Sequence, residues 1–384
     1  MLDFTYENKT EILFGKNKVD LLGKTVKKYN FKNVLVVYGG GSALKSGLID
    51  RVTSQLKEEH IGYSLVGGVC ENPTSDFVYE AIDFVKKNNI DLVLAVGGGS
   101  VIDASKAIGA GAVYDGDFWD FFRSKDRLVI ERTLPVAVVL TMAAAGSENS
   151  ESIVITNKEL QEKRGNIKTS VVRPIFTIED PLLTLTLPKY NTACGIVDMM
   201  VHIMERYFSN TENVMVTDSL CEGLLKSILS LGIDLINDLD NYDLRANIMW
   251  ASTIAHNNIL GMDREQDWAS HRIEHELSTK YNLAHGAGLA VVVPRWMRYV
   301  SKRNDTKFKS FAKNVMEVDT IDDAINKLED FFKALCMPTT LEEIGYKESD
   351  LDSLIDTIDY RGDTLGFYVP LSKEDIRNIY LGNY

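Results

Sequence analysis

Apolar and polar residues follow different patterns in the first and second parts of the chain. In the first part, residues 33–38, 91–96 and 134–140 are short, rich in β-branched side chains and almost continuously apolar. This composition is typical of strands that are buried on both faces of a parallel sheet. Between them, residues 46–59 and 76–88 place apolar positions at helical spacing. The alternation predicts a parallel, doubly wound, Rossmann-like sheet, which binds ligands at the carboxyl ends of its strands.

After Pro181 and Pro188 the pattern changes to helical periodicity. No proline occurs from residue 189 to residue 293, and β-branched clusters become rare. We predict helices over residues 198–207, 214–235, 243–260 and 267–280. The sequence thus predicts an α/β domain over residues 1–184 and an all-helical domain over residues 185–384, with the active site in the cleft between them.

The length of the chain agrees with two domains, and its net charge argues against a nucleic-acid partner. The 384 residues exceed the ~250–300 residues over which a single core grows. Asp and Glu (55) outnumber Lys and Arg (42), which gives a net charge of −13. We find no local basic patch, and an acidic protein repels a phosphate backbone, so we expect no nucleic-acid partner.

Cysteine content and hydropathy predict the compartment. The four cysteines stand far apart and form no CxxC pair, which argues against a disulfide framework or a thiolate zinc site. No apolar run approaches the ~20 residues of a membrane span, and residues 1–18 lack the pattern of a secretory signal. We expect a soluble, cytoplasmic protein with no membrane contact.

Two glycine-rich turns follow predicted strands. The first consists of Gly39, Gly40, Gly41 and Ser42, and the second of Gly97, Gly98, Gly99 and Ser100. A strand-to-helix turn of this kind directs open N–H groups and a helix dipole at an anion. Neither turn has GxGxxG or P-loop spacing. Glycines that merely permit tight turns are the alternative, but two such turns in one sheet favour a ligand with several phosphates, such as a dinucleotide.

Acidic and imidazole side chains gather in the second part of the chain. Asp198 and His202 stand four residues apart among apolar neighbours, so both project from one face of a predicted buried helix. His271 and His275 have the same spacing, and His285 precedes a glycine that is expected to open another helix. One carboxylate together with three of these four imidazoles would form a site suited to zinc or ferrous iron. A surface Asp–His pair is the alternative for the first motif.

Other interpretations apply to some of these residues. His271, Glu274 and His275 also match HxxEH, in which both histidines bind zinc and the glutamate activates water for peptide hydrolysis. That interpretation leaves the glycine turns and the Asp–His pair without a role. We interpret His60 and His256 as hydrogen-bonded core histidines.

Together these motifs resemble the iron-containing (group III) alcohol dehydrogenases. The resemblance rests on GGGSxxD after a strand, a downstream Gly-Ser-Glu, DxxxH, and HxxxH with a further histidine fourteen residues after its first. It extends over nearly the whole chain. It implies that His275 faces the substrate and relays a proton, and that the metal ligands are Asp198, His202, His271 and His285.

The resemblance also implies a set of cofactor contacts. Gly97, Gly98, Gly99 and Ser100 would cradle the pyrophosphate. Thr141 would lie near the adenosine side of the cofactor and Lys163 near its ribose, with Asp103 and Lys106 as supporting residues of the motif helix.

The end of the first predicted strand bears on the choice of nicotinamide cofactor. NAD-selective relatives place an acid at the corresponding position, where it repels a 2′-phosphate. Residues 38–42 contain no acid, and Lys45 follows closely. Open N–H groups, a hydroxyl and a cation suit a 2′-phosphate, so we expect that NADP(H) binds Gly39, Gly40, Gly41, Ser42 and Lys45. The resemblance is strongest to the NADPH-dependent butanol dehydrogenase and aldehyde reductase branch.

The resemblance implies reversible hydride transfer between NADPH and short- to medium-chain aldehydes, assisted by one divalent ion, Fe²⁺ or Zn²⁺. It also implies a homodimer, in which residues 4–14 form an edge strand that pairs across the interface. Two further alternatives stay open: a metal- and nucleotide-binding protein without turnover, and a lyase of the same fold family that acts on a sugar-like substrate.

Overall fold

The chain folds into two compact units, seen in a computed structural model that describes residues 1–123, 125–166, 169–360 and 362–384. The first unit comprises Glu7–Thr186, and the second comprises Leu187–Tyr384 together with Met1–Tyr6. Within these described ranges, no helix combines the length and the apolar character that crossing a bilayer requires.

The first unit is built on a six-stranded parallel sheet. Its strands and those of a hairpin are β1 (Glu11–Phe14), β2 (Asn33–Gly39), β3 (Gly62–Val69), β4 (Leu92–Gly97), β5 (Val136–Leu140), β6 (Val154–Asn157), β7 (Glu162–Gly165) and β8 (Phe176–Glu179). The order across the sheet is β1-β8-β5-β4-β2-β3, and β6 and β7 form the antiparallel hairpin. The helices of this unit are α1 (Leu22–Lys28), α2 (Ser42–Lys45), α3 (Leu48–Glu58), α4 (Ser75–Lys87) and α5 (Gly99–Ala112).

The apolar segments of the sequence predicted buried strands of the sheet. β2, β4 and β5 lie where the continuous apolar segments predicted them, and β4 is buried along its whole length. β3 was missed because it forms an edge of the sheet, is largely solvent-accessible and contains Gly62, Gly67 and Gly68, which weaken a strand pattern.

The second unit is helical. Its helices are α6 (Lys189–Tyr207), α7 (Met215–Asn237), α8 (Tyr242–His256), α9 (Ala269–Tyr281), α10 (His285–Ser301), α11 (Thr306–Phe311), α12 (Ile321–Ala334), α13 (Leu351–Thr357) and α14 (Lys373–Leu381). α6 begins nine residues before the predicted start at residue 198, directly after Pro188. The parallel sheet of the first unit and the helices of the second confirm the predicted fold class.

The N-terminal segment differs from its prediction. A strand was expected over residues 4–14, but β1 spans only Glu11–Phe14, where it pairs in parallel with β8. The first six residues group instead with the helical unit, in which the Leu2 N–H donates to the Asp263 carbonyl at 2.8 Å. β1 is therefore an edge strand of the sheet, whereas the residues before Glu7 are held by other contacts.

Candidate metal centre and nucleotide-binding turns

Helix α6 supplies the first two candidate ligands. Asp198 and His202 are each 5% exposed and lie one turn apart on the same helix face. Their burial follows from the position of α6, which packs against α7, α8 and α10. A carboxylate so deeply buried is costly unless a cation or hydrogen bonds compensate its charge.

Helix α9 supplies His271, and a carboxylate from α6 fixes the start of that helix. Trp268, directly before α9, has a φ of 63°, which is uncommon for a residue with a side chain. Its N–H donates to Glu205 Oε2 at 2.6 Å, while Ser270 Oγ and the His271 N–H donate to Glu205 Oε1 at 2.6 and 3.1 Å. His271 Nδ1 lies 3.0 Å from the same oxygen. Because a carboxylate accepts, Nδ1 carries the proton and Nε2 keeps its lone pair.

Helix α10 supplies His285 as its first residue, and two glycines let this helix approach its neighbours. A Cβ at Gly286 would lie 2.1 Å from the Cys194 carbonyl oxygen on α6, and one at Gly288 would lie 2.5 Å from Glu274 Oε1 on α9. Glu274 is fully buried, and its Oε2 accepts a hydrogen bond from His285 Nδ1. His285 therefore also presents Nε2 as its free lone-pair position.

The three predicted histidine ligands surround one oxygen of Asp198, and the ligand atoms of Asp198, His202 and His271 all lie within 4.8 Å of one another. Asp198 Oδ1 lies 3.6 Å from His202 Nδ1, 3.9 Å from His271 Nε2 and 3.7 Å from His285 Nε2. In a tetrahedral site with bonds of ~2.1 Å, ligand atoms stand about 3.4 Å apart. Although His202 Nδ1 and His271 Nε2 are buried, neither forms a hydrogen bond with any residue that the structure describes. Buried lone pairs at this spacing fit a divalent cation.

Protonation states in the cluster also fit a cation. Burial, together with the neighbouring imidazoles of His256 and His271, lowers the pKa of His202 well below its usual value, so His202 is neutral. Burial raises the pKa of Glu205, but hydrogen bonds from His271 and Ser270 outweigh it, and the net shift is downward. One carboxylate with three imidazoles is a donor set for Zn²⁺ or Fe²⁺.

The predicted catalytic residue His275 lies beside this cluster. It stands one turn after His271 on α9, half-buried, with its ring centroid 5.6 Å from that of His285. The HxxEH interpretation requires His271 and His275 to share an ion and Glu274 to meet water. Instead, His271 faces Asp198, and Glu274 is buried against His285, which argues against that interpretation.

The two remaining histidines differ from each other. His256 is buried, with Nδ1 3.0 Å from Arg206 Nη2 and its ring centroid 4.0 Å from that of His202, as predicted for a hydrogen-bonded core histidine. His60 is exposed, so the same prediction for it was wrong. It follows α3 with a φ of 56°, because the chain turns there to leave the helix.

In the first unit, the second glycine turn joins β4 to α5. Gly97 ends β4, Gly98 caps α5, and Gly99 and Ser100 are the first residues of α5. A Cβ on Gly97 would lie 2.5 Å from Val101 Cγ2, which excludes a side chain there. The open N–H groups of the first turn of a 14-residue helix thus lie at the carboxyl edge of the sheet, where a phosphate binds in this kind of fold.

The first glycine turn joins β2 to α2 and borders open space. A Cβ on Gly40 or Gly41 would meet nothing within 4 Å, and Gly41 has a φ of 146°, which favours glycine. Ser42 and Lys45 lie on the short helix α2 and are exposed. Residues 38–42 present no acidic side chain.

A buried lysine ties α5 to the segment after β5. Lys106 Nζ donates to the carbonyl and hydroxyl oxygens of Ser147 and Ser150 and to the Ser152 carbonyl, at 2.6–3.2 Å. Asp103, one turn earlier on α5, accepts hydrogen bonds from Ser147 Oγ and from the Val154 N–H. These contacts tie the helix that carries the second glycine turn to the segment after β5.

Two other predicted cofactor residues lie on neighbouring elements of the same unit. Thr141 directly follows β5, and its N–H donates to the Gly97 carbonyl at 3.1 Å, beside the second glycine turn. Lys163 is buried on β7 opposite Thr156. Burial raises the pKa of Asp103, and Lys163 is close enough to oppose that rise.

Sequence reasoning missed the residues that orient the ligands. Glu205 lies seven residues after Asp198 and three after His202, hence on the same face of α6, and this periodicity was a readable signal. Glu274 had been considered only as part of HxxEH. Gly286 and Gly288 gave no local signal, since the need for them arises from packing between helices that are distant in sequence.

Comparisons with known proteins agree with the geometry. Residues 9–181 match the family of iron-containing alcohol dehydrogenases, and residues 192–384 match the C-terminal family of Fe-containing alcohol dehydrogenases. NADH-dependent butanol dehydrogenase A of Clostridium acetobutylicum is 40% identical, with 100% of both chains covered. NADPH-dependent aldehyde reductase YqhD of Escherichia coli is 33% identical, with 99% of both covered.

Similarity to solved structures extends to the whole fold. The structure of NADH-dependent butanol dehydrogenase A of Thermotoga maritima matches with a TM-score of 0.95 at 38% identity, over 99% of this chain and 98% of that one. The matches run through both units and include the segments that carry the histidine cluster and the glycine turns. The chain belongs to the iron-containing alcohol dehydrogenase family.

Proposed function

We propose that this chain is a divalent-metal-dependent, nicotinamide-linked alcohol dehydrogenase that interconverts short- to medium-chain aldehydes and alcohols. The observation that carries the proposal is the convergence of three histidine nitrogens within 3.6–3.9 Å of Asp198 Oδ1. The glycine turns of the first unit add a site for a dinucleotide. Butanol dehydrogenation and aldehyde reduction, the activities named for two relatives, supply the substrate class.

The residues of the cluster have separate tasks. Asp198, His202, His271 and His285 would hold the ion, which supplies Lewis acidity that stabilises negative charge on a carbonyl oxygen as hydride arrives. Burial of Asp198, His202 and His271 keeps bulk water from their ligand atoms and strengthens the electrostatic interactions of those atoms. His275, half-buried beside His285, donates the proton that the product oxygen requires.

We further propose that the cofactor is NADP(H). The support is the end of β2, where Gly40 and Gly41 border open space, no acid occurs in residues 38–42, and Lys45 is exposed close by. A 2′-phosphate gains N–H donors and a cation there and meets no carboxylate. The relatives differ: the 40% identical one is named NADH-dependent and the 33% identical one NADPH-dependent.

One experiment tests metal dependence and cofactor choice together. The purified chain is stripped with a chelator, and butanal-dependent loss of NADPH or NADH absorbance is followed before and after addition of Fe²⁺ or Zn²⁺. We expect no turnover without metal, turnover after reconstitution, and a higher kcat/KM with NADPH. Absence of turnover with either ion would refute the dehydrogenase, and preference for NADH would refute the NADP(H) assignment alone.

The same assay separates the other candidate functions. A metal- and nucleotide-binding protein without catalysis would bind NADPH but leave its absorbance unchanged with every aldehyde. A peptidase would cleave casein irrespective of nicotinamide. We also propose a homodimer, because β1 is an edge strand of the sheet. We propose a cytoplasmic location as well, because none of the four cysteines, all of which lie in the described ranges, forms a disulfide bond. Sedimentation and cell fractionation test these two proposals.

A further inference from the structure

Glu205 is a buried carboxylate on α6 whose hydrogen-bond donors come from the first turn of α9. We propose that Glu205 is a positioning residue of the metal site: it fixes where α9 begins and holds His271 with Nδ1 protonated and Nε2 facing Asp198. The inference rests on the metal-dependent function proposed above, and it assigns to Glu205 a role in metal affinity without contact with the ion.

Both oxygens of this carboxylate are in use. Oε1 accepts from Ser270 Oγ at 2.6 Å, from the His271 N–H at 3.1 Å and from His271 Nδ1 at 3.0 Å. Oε2 accepts from the Trp268 N–H at 2.6 Å. One side chain therefore meets two of the backbone N–H groups at the start of α9 and the ring of its metal ligand.

The start of α9 depends on contacts of this kind. The chain from residue 265 to residue 268 has no regular secondary structure, and Trp268 is held in a left-handed conformation that costs free energy. A second link reinforces the first, since the Asp267 N–H donates to the Glu205 carbonyl at 2.9 Å. Because Asp198 and His202 lie on α6 too, a single rigid helix carries two ligands and the group that aligns a third.

The chemistry of the side chain makes a sharp test possible. In Glu205→Gln, the amide oxygen replaces only one of the two carboxylate oxygens. If that oxygen faces His271 and Ser270, the amide NH₂ faces the Trp268 N–H, so that two donors point at each other. If the amide is flipped, its NH₂ points instead at the donors of His271 and Ser270. The substitution keeps the shape of the side chain but cannot keep its contacts.

Glu222 on α7 offers a matched control. Its Oε1 alone accepts both hydrogen bonds, from Tyr207 Oη at 2.7 Å and from Asn314 Nδ2 at 2.9 Å. An amide oxygen can replace that single acceptor. Glu222→Gln therefore removes one negative charge from the same unit and retains the contacts, which separates the effect of charge from the effect of positioning.

The measurement is Co²⁺ binding to the metal-free protein, by competition with a chromophoric chelator and by the visible d–d absorption of the bound ion. We expect Glu205→Gln to weaken Co²⁺ binding by about 10–100-fold and to change the d–d spectrum, because outer hydrogen-bond partners of ligands affect metal affinity on this scale. Glu222→Gln should bind like the wild type. Wild-type affinity and spectrum in Glu205→Gln would overturn the inference.

One further variant separates positioning from loss of stability. Leu277 is buried on α9, so Leu277→Val removes packing from that helix without changing Glu205. We expect this variant to lower the thermal midpoint of the metal-free protein. Its Co²⁺ affinity should stay within roughly 3-fold of wild type, as expected for a position that is not coupled to the metal site. An equal loss of affinity in Leu277→Val and Glu205→Gln would contradict the inference.

Glu205→Asp carries the test if Glu205→Gln does not fold. The shorter carboxylate keeps the charge and both acceptors but cannot reach Trp268 and His271 at once, so we expect weaker Co²⁺ binding; unchanged affinity would overturn the inference. These outcomes are distinguishable from failure of the proposed function. If wild-type protein binds no Co²⁺, the metal centre itself is refuted, whereas a wild-type site with an insensitive Glu205 refutes only the positioning role.

Discussion

The two units build their candidate sites by opposite means. In the first unit, the groups that face a ligand are backbone N–H groups at glycine turns, and a buried cation, Lys106, secures the helix behind them. In the second unit, the groups are side-chain heteroatoms, and a buried anion, Glu205, secures the helix that carries one of them. An anionic dinucleotide needs donors, and a cation needs lone pairs.

This contrast determines which substitutions each unit tolerates. Backbone donors are insensitive to side-chain chemistry but are blocked by an added Cβ, whereas a side-chain cluster fails when a single heteroatom is lost. The two supporting charges should act independently. Loss of Lys106 should weaken nucleotide binding and leave metal binding unchanged, whereas loss of Glu205 should weaken metal binding and leave nucleotide binding unchanged.

Removal of a ligand should have the largest effect. We expect His271→Ala to lose tight metal binding and to lower kcat/KM for butanal on the order of 10³-fold, because the group that stabilises charge on the carbonyl oxygen is lost. NADPH affinity should stay within 2-fold of wild type, roughly, since the glycine turns are intact. His60→Ala, at an exposed histidine of the first unit, is the control. Retention of stoichiometric metal in His271→Ala would refute the ligand assignment.

Loss of the buried lysine should rank second. Lys106→Met leaves five oxygen atoms of residues 147–152 without their donor, which we expect to cost about 3 kcal/mol of unfolding free energy. NADPH affinity should fall, and Co²⁺ affinity should not. Lys87→Met, at an exposed lysine of α4, should change neither. Urea unfolding and the two titrations provide the check, and a parallel loss of Co²⁺ binding would contradict the separation of the units.

A pair of glycine substitutions contrasts the two regions directly. An added Cβ at Gly286 lies 2.1 Å from a carbonyl oxygen of α6, so Gly286→Ala should shift α10 and His285, cost about 2–3 kcal/mol and weaken Co²⁺ binding. Gly40→Ala adds a Cβ into open space and should change the unfolding free energy by less than about 0.5 kcal/mol. Equal effects on stability at the two positions would refute this account of the close helix contact.

The buried lysine also predicts a dependence on pH. Burial lowers the pKa of Lys106 from 10.5 to about 8, so between these values the unfolded chain binds more protons than the folded one. Stability from this group therefore rises with pH, by about 2 kcal/mol between pH 7 and 9.5. The difference in unfolding free energy between wild type and Lys106→Met should increase accordingly, because groups distant from Lys106 titrate alike in both proteins. A difference that is constant with pH would contradict the prediction.

The same contrast explains how much of the molecule the sequence could predict. Continuous apolar runs identified β2, β4 and β5, and glycine composition identified both turns, because each signal is local. The spacing of Asp198 and His202 is also local, since one helical turn separates them. The start of α9 was predicted to within two residues, at residue 267 against Ala269, but the contacts that fix it were not. They come from Glu205, more than sixty residues earlier in the chain.

The misses have a common physical cause. Residues 1–6 group with the helical unit through contacts such as that of Leu2 with Asp263, which no periodicity reveals. Gly286 and Gly288 are required only because α10 packs closely on α6 and α9. Tertiary packing decides all of these positions.

We propose that one divalent ion, held by Asp198, His202, His271 and His285, makes this chain a dehydrogenase. The most direct test is to add Fe²⁺ anaerobically to metal-free protein in small steps and to measure butanal-dependent oxidation of NADPH after each addition. We predict that activity rises linearly from zero and reaches its plateau at one ion per chain. Full activity before any metal is added, or no activity at the plateau of metal binding, would contradict the claim.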